Sequence, residues 1–241
     1  MSKIISLSDV KENDEFKKLI DLSNNNLMVL GYTEHGLRHV GYVSKTTANI
    51  LSTLGYDDRT VELGAIAGWI HDIGNAINRK HHGLTGSVLA YDILIRMGMA
   101  AGEAAKIIGA IGNHEEETGT PVNEIAAALI LADKSDAHRS RVRRETADRK
   151  DIHDRVNLAI KKNYLAIDQN KKTIRLVIQM DETSATMEYL QIYLSRMVLS
   201  EKAAAYLGYW FELVINGNVI NRRKPSPNVH PKAGETEVSE E

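Results

Sequence analysis

At 241 residues the chain has room for one sizeable domain with an appendage, or for two small ones. Apolar residues at 43% and charged residues at 26% are ordinary globular usage, and apolar stretches such as Ile125 to Ala132 are far shorter than the roughly 18 to 20 residues that cross a bilayer, so global disorder and a membrane class are excluded. With 30 basic and 32 acidic side chains the formal net charge is -2, which excludes a globally basic nucleic-acid binder while leaving room for a local basic patch.

The absence of cysteine excludes disulfides, thiolate ligands and thiol nucleophiles, so any metal must be held by nitrogen and oxygen. Met1 to Val10 lacks the apolar core of a signal peptide, and together with the missing cysteines this makes a cytoplasmic location the expectation.

From about Asp14 to Arg149 the pattern is helical almost throughout, with short connectors carrying Gly, Asn, Asp or Pro, and at least six helices are expected. Thr33 is placed to cap a helix running to about Leu54; Gly55 ends it, and Asp57 or Asp58 caps the next. That next helix, roughly Arg59 to His71, is apolar nearly all round and is expected at the centre. Helices follow over about His82 to Met97 and Gly102 to Asn113. Thr120 and Pro121 read as a cap with proline at the first helical position, opening a helix through Ile125 to Ala132 whose buried part ends at Asp133.

Near Asp151 the character changes. Tyr164 to Ile167 and Thr173 to Met180 alternate as strands do, around a polar turn at Asp168 to Lys172, and Ile174, Leu176, Ile178 and Met180 share one face. Asp181 to Ser184 reads as a cap, Met187, Leu190, Leu194, Met197 and Val198 form a helical stripe, and Trp210 to Ile215 is a third strand. The expected architecture is mainly α: a helical bundle over residues 1–150, a small β-β-α-β appendage over 151–220, and a disordered polar tail over 221–241. The appendage lacks a cluster of ionisable residues suited to catalysis, so it is expected to be structural or a homodimer contact.

Six of the nine histidines, His35, His39, His71, His81, His82 and His114, lie in the helical first half. A lone histidine on an apolar face is more often a satisfied core residue than a ligand, but the clustering calls for a shared reason. His71 and Asp72 follow directly on the apolar helix, where an unpaired charge is costly and a metal ion removes the cost. Asp133 repeats the situation after its own apolar run. His35 stands four residues before His39, a spacing also found in paired metal ligands on one helix face. No phosphate loop with Gly-Lys-Ser or Gly-Lys-Thr, no nucleophile elbow and no two-histidine metalloprotease helix appears.

His39, then His71-Asp72-Ile73-Gly74, then His82 with Gly86 four residues on, then His114-Glu115, then Ala132-Asp133 resemble the ordered motif set of the HD phosphohydrolase superfamily. The set spans about residues 33 to 145. Ala132 to Arg139, with Arg143-Arg144-Glu145, is similar to the HD domain of ribonuclease Y. The resemblance implies an HD-type helical bundle in which His39, His71, Asp72 and Asp133 hold one divalent metal. Asp72, His82 and His114 then complete a second site bridged by Asp72. One or two ions of Mn, Fe, Mg or Zn suit such ligands. His81 competes with its neighbour His82, and the spacing to Gly86 favours His82.

The implied activity is metal-dependent hydrolysis of a phosphate ester, a nucleotide or another small phosphorylated metabolite, with Asp72, His82, His114 and Arg139 serving catalysis. Many relatives carry Lys where this chain has Asn75. The basic segment Lys134 to Lys150 offers replacements, foremost Arg139 as a phosphate clamp, then Lys134, Arg143 and Arg144. Two other readings are a non-catalytic metal- or nucleotide-binding module and a ribonuclease-like phosphodiesterase. The aromatic content of 5% gives little for base stacking, so nucleic acid is not the favoured partner.

Overall fold

The computed structural model describes residues 3–143, 147–148 and 150–221. The chain opens with α1 (Leu7–Glu12) and α2 (Asp14–Val29), separated only by Asn13, whose side chain accepts from the Glu15 and Phe16 amides and restarts the helix. There follow α3 (Leu37–Thr53), α4 (Asp58–Ile70), a 3-10 turn at Ile73–Ala76, α5 (His82–Arg96), α6 (Ala101–Gly112) and α7 (Glu124–Ser135). Asp57, not Asp58, caps α4 by accepting from the Thr60 amide.

The apolar stretches of α4 and α7 reflect burial on all sides. α3, α4 and α6 pack against α7, and the long C-terminal helix α9 (Thr186–Tyr206) also packs on it, so every residue from Ile125 to Ser135 is buried. α4 crosses α3 at Gly68, where a Cβ would meet Ser44 Cα at 2.7 Å and N at 2.8 Å, so only glycine permits this approach.

The C-terminal unit comprises α8 (Ile152–Ala159), β1 (Ile160–Asp168), β2 (Thr173–Met180), α9, β3 (Trp210–Ile215) and the short β4 (Asn218–Val219). The sheet order is β1-β2-β3-β4, with β1 antiparallel to β2, β2 parallel to β3 and β3 antiparallel to β4. α9 supplies the crossover that a parallel pair requires. Ile174, Leu176, Ile178 and Met180 are buried on one face as expected, joined by Phe211, Leu213 and Ile215. The architecture is thus mainly α with a small sheet.

Several local expectations are corrected. Thr33 does not cap α3; the N-cap is Gly36, because Glu34 Oε1 takes the Gly36 amide at 2.6 Å and keeps Thr33 to Gly36 outside the helix. Thr120 and Pro121 do not open α7 either: Asn123 Oδ1 accepts from the Ala126 amide at 2.7 Å and places the cap two residues beyond the proline. Burial runs past Asp133 through Asp136, since Arg38, His39 and Tyr42 of α3, Asn163 of β1 and Arg141 close over that end. β1 starts at Ile160, its polar first half carrying exposed Lys161 and Lys162 on the sheet edge, where lysine discourages further pairing.

On α9 the expected apolar stripe is buried only in part, at Met197 and, half-buried, at Leu190. Met187, Leu194 and Val198 are exposed, whereas Tyr189, Tyr193, Met197, Ser200 and Ala203 face inward, where small and planar side chains let the helix lie close. Asn221, expected in the tail, closes β3 by accepting from the Leu213 amide and donating to Glu201 and the Phe211 carbonyl. The rest of the expected tail, and Arg144, Glu145 and Arg149, lie outside the described residues.

Candidate metal centre

Each histidine of the cluster is aimed by its helix and by a bond on its far nitrogen. His39 sits in the first turn of α3 with Nδ1 2.7 Å from Asp136 Oδ2. His71 ends α4 with Nδ1 2.9 Å from the Gly68 carbonyl. His82 begins α5 with Nδ1 2.6 Å from Glu115 Oε1 and 3.0 Å from the Arg79 carbonyl. His114, just past α6, has Nδ1 2.6 Å from the Ile111 carbonyl. A carbonyl or carboxylate can only accept, so each Nδ1 carries the hydrogen and each Nε2 is left as the inward-facing donor atom.

The Nε2 atoms converge. His39 and His71 are 3.3 Å apart, and His82 and His114 are 3.1 Å apart. Asp72 lies between the pairs and offers one oxygen to each: Oδ2 is 3.6 Å from His39 and 3.4 Å from His71, and Oδ1 is 3.2 Å from His82 and 3.7 Å from His114. Asp133 Oδ1 completes the first group at 3.4 Å from His39 and 3.7 Å from His71. Its other oxygen is held by Lys134 Nζ at 2.7 Å.

These separations fit a cation. Two ligands about 2.1 Å from one ion stand about 3.0 Å apart at a right angle and about 3.4 Å apart at a tetrahedral angle. Three triads, His39-His71-Asp72, His71-His114-Asp133 and Asp72-His82-His114, bring a donor atom from each residue within 4.8 Å of the others, and all of these residues are buried. The buried His/Asp cluster is therefore able to hold metal.

The electrostatics agree. Burial opposes protonation of His71, yet the Asp72 and Asp133 carboxylates raise it to about 10. Burial would raise Asp72, but His71, His114 and His39 hold it well below the usual carboxylate range, and Lys134 with His39 and His71 does the same for Asp133. Glu115, pushed up by burial, is brought down to about 2 by His82 and the Gly83 amide. The carboxylates thus demand positive charge at the converging nitrogens, which a divalent ion supplies in place of protons.

His82 rather than His81 joins the cluster. His81 is exposed with φ +60°, a left-handed residue before α5 that turns the next side chain inward. His35 precedes α3 instead of lying on it; its Nδ1 donates to the Thr33 carbonyl at 2.7 Å, and its ring packs edge-on to His39 with centroids 5.3 Å apart. Arg139, expected to clamp phosphate, instead donates to the Ile160 carbonyl and Asp181, tying the bundle to β1 and the segment after β2. Arg143 is likewise engaged with Asn24 and the Tyr32 carbonyl.

Three acids have no role assigned from the sequence alone. Asp136 orients His39 and is itself held by Arg38 and Arg141. Glu115 orients His82 and also accepts from the Gly83 amide. Glu116 pairs with Lys134 at 3.1 Å and with Arg196 of α9 at 3.0 Å, so the C-terminal unit reaches the surroundings of Asp133. Their signal was faint: an acid beside or three residues past a candidate ligand.

Two clefts open beside the cluster. One, about 460 Å³, is lined by residues including Tyr32, Arg79, His81, His82 and Glu115; the other, about 480 Å³, by Tyr32, His35, Arg79, Tyr193 and Arg196 among others. Among the described residues no helix is long and apolar enough to cross a membrane. No family model and no curated protein matches the chain. Among solved structures the chain is similar to a predicted HD superfamily hydrolase from an uncultured Thermotogales bacterium, at 20% identity, covering 56% of this chain and 75% of that one, with a TM-score of 0.43.

Proposed function

We propose that this protein is a metal-dependent phosphohydrolase acting on a nucleotide or another small phosphorylated metabolite. The observation that carries the reading is the convergence of four buried Nε2 atoms on the carboxylates of Asp72 and Asp133, with each Nδ1 committed elsewhere. The ordered motif that resembles the HD phosphohydrolases falls on these same residues.

His39, His71, Asp72 and Asp133 would hold one ion, and Asp72, His82 and His114 a second. When bound, divalent ions supply Lewis acidity that neutralises phosphoryl charge and acidifies water. The chain's own part is orientation. Asp136 and Glu115 fix two imidazoles, the Gly68 and Ile111 carbonyls fix the other two, and Lys134 turns Asp133 so that one oxygen faces the histidines. The clefts admit a small phosphoester from solvent on the His82 side.

Elemental analysis of purified protein, beside hydrolysis of a phosphoester panel with Mn, Fe, Mg and Zn, tests this. Bound metal with metal-stimulated phosphate release is expected. Metal binding without hydrolysis of any phosphoester leaves the binding-module reading instead.

A further inference from the structure

Asn75 follows the turn after Asp72 and is 1% exposed. Its Nδ2 donates to the Asp72 carbonyl at 3.0 Å and to Asp72 Oδ1 at 3.1 Å, so the amide cannot rotate freely and its Oδ1 faces the other way. Arg79 Nη1 meets that oxygen at 3.4 Å. The same Nη1 is 3.4 Å from His82 Nε2, and the guanidinium lies 5.3 Å from the Tyr32 ring. Both polar contacts are at the long end of hydrogen bonding, and a guanidinium has five donors to satisfy.

Of the acids lining the two clefts, Glu115 is engaged with His82, Glu116 with Lys134 and Arg196, and Asp148, Asp151 and Asp154 with backbone amides, while Lys80 and Glu117 are exposed at the rim. Among the described residues no carboxylate lies within 4.0 Å of the Arg79 guanidinium, although Arg79 lines both clefts. A half-buried cation at the cluster's open edge, without a counter-charge, is a site for an anion.

We propose that Arg79, steadied by Asn75 and Tyr32, grips the phosphoryl oxygens of the substrate beside His82 and is the specificity-determining residue of the site. This rests on the phosphohydrolase reading. It also ties anion binding to metal binding, because the contact of Nη1 with His82 Nε2 uses the lone pair that a metal would take. Metal on His82 Nε2 would displace that contact and leave Arg79 free to face the cleft.

The test is a calorimetric titration of inorganic phosphate into wild-type, Arg79→Met and Arg79→Lys proteins, with and without Mn, beside metal content and the separate KM and kcat for a phosphoester. In Arg79→Met, phosphate affinity should fall about 10- to 100-fold and KM rise in step, with metal content unchanged. Arg79→Lys should recover part of the loss, since it keeps the charge but not the fork. Equal phosphate affinity in wild type and Arg79→Met at equal metal content would overturn the assignment. A wild-type protein that held no metal and cleaved no phosphoester would instead sink the phosphohydrolase reading, and the phosphate titration would still judge Arg79 by itself.

Discussion

Asp72 touches both pairs of histidines with different oxygens, Oδ2 toward His39 and His71 and Oδ1 toward His82 and His114, and of the histidines His114 also comes within reach of His71 and Asp133. Asp72→Ala should therefore empty or scramble both positions, and His82→Ala mainly the one it shares with His114. Elemental analysis distinguishes the two, and full metal occupancy in Asp72→Ala would contradict the shared-ligand geometry. Asp136 tests the orienting layer. It accepts the His39 Nδ1 proton, so Asp136→Asn should weaken metal binding about 10- to 100-fold while leaving the ligand set intact, measured by competition with a chromogenic chelator. The ligand candidates were legible because a charged or imidazole side chain directly after an apolar run has few bland explanations. Arg79 was not, because a lone arginine in a polar connector looks like any solvated charge. Only the fold shows that Asn75, which seemed a defect in the motif, binds Asp72 on one side and faces Arg79 on the other.

The 3-10 turn and α5 meet through two glycines, and that contact sets His82 beside Asp72. A Cβ on Gly74 would overlap the His82 carbonyl and stand 2.6 Å from the Gly86 nitrogen. The pairing explains why a glycine four residues after His82 belongs to the motif. Gly74→Ala should cost about 1–3 kcal/mol in denaturant unfolding and reduce metal content together, since the turn cannot yield without moving a candidate ligand. Helix cores were readable from periodicity, but their starts were not: Gly36 and Asn123 cap where Thr33 and Thr120 were expected, because loop contacts choose among eligible caps. In the C-terminal unit, Glu188 joins α8 to the start of α9, and the Arg155 guanidinium, the Ser184 hydroxyl and the Ala185 amide hold its carboxyl at about 2. A folded value below the ordinary one means that this stabilisation is present above about pH 4.5 and is lost as pH falls through about 2. The difference in Tm between wild type and Glu188→Gln should accordingly shrink on acidification across that window. A difference constant from pH 6 to pH 3 would show that the carboxylate charge is not what joins the helices.

Bundle and C-terminal unit share a core along α7, which is apolar on all sides because α9 covers the face that the first half of the chain leaves open. The sequence showed the change of character near Asp151 but not this dependence, since the buried side of α9 mixes Tyr189, Tyr193, Ser200 and Ala203 with Met197 and Leu199 while Met187, Leu194 and Val198 face solvent. Polar contacts follow the same path: Asp133 to Lys134, Lys134 to Glu116, Glu116 to Arg196. Lys134 is only 4% exposed and pairs with both carboxylates, and Arg196 pairs with Glu116 from the other side. A divalent ion held by the cluster would be the remaining charge in this network. Without one, five carboxylates and four imidazoles near one centre are balanced by protons and the neighbouring basic side chains alone, and with one the folded state would gain a ligand that the unfolded chain cannot assemble. Divalent metal at about a thousand times its Kd should then stabilise the fold by about 4 kcal/mol, read as a rise in Tm that EDTA reverses. Arg196→Met should lower Tm in both the metal-free and the metal-loaded protein and weaken metal binding, because Glu116 then competes with Asp133 for Lys134. An Arg196→Met protein with wild-type metal affinity would show that the C-terminal unit covers the bundle without reaching its centre.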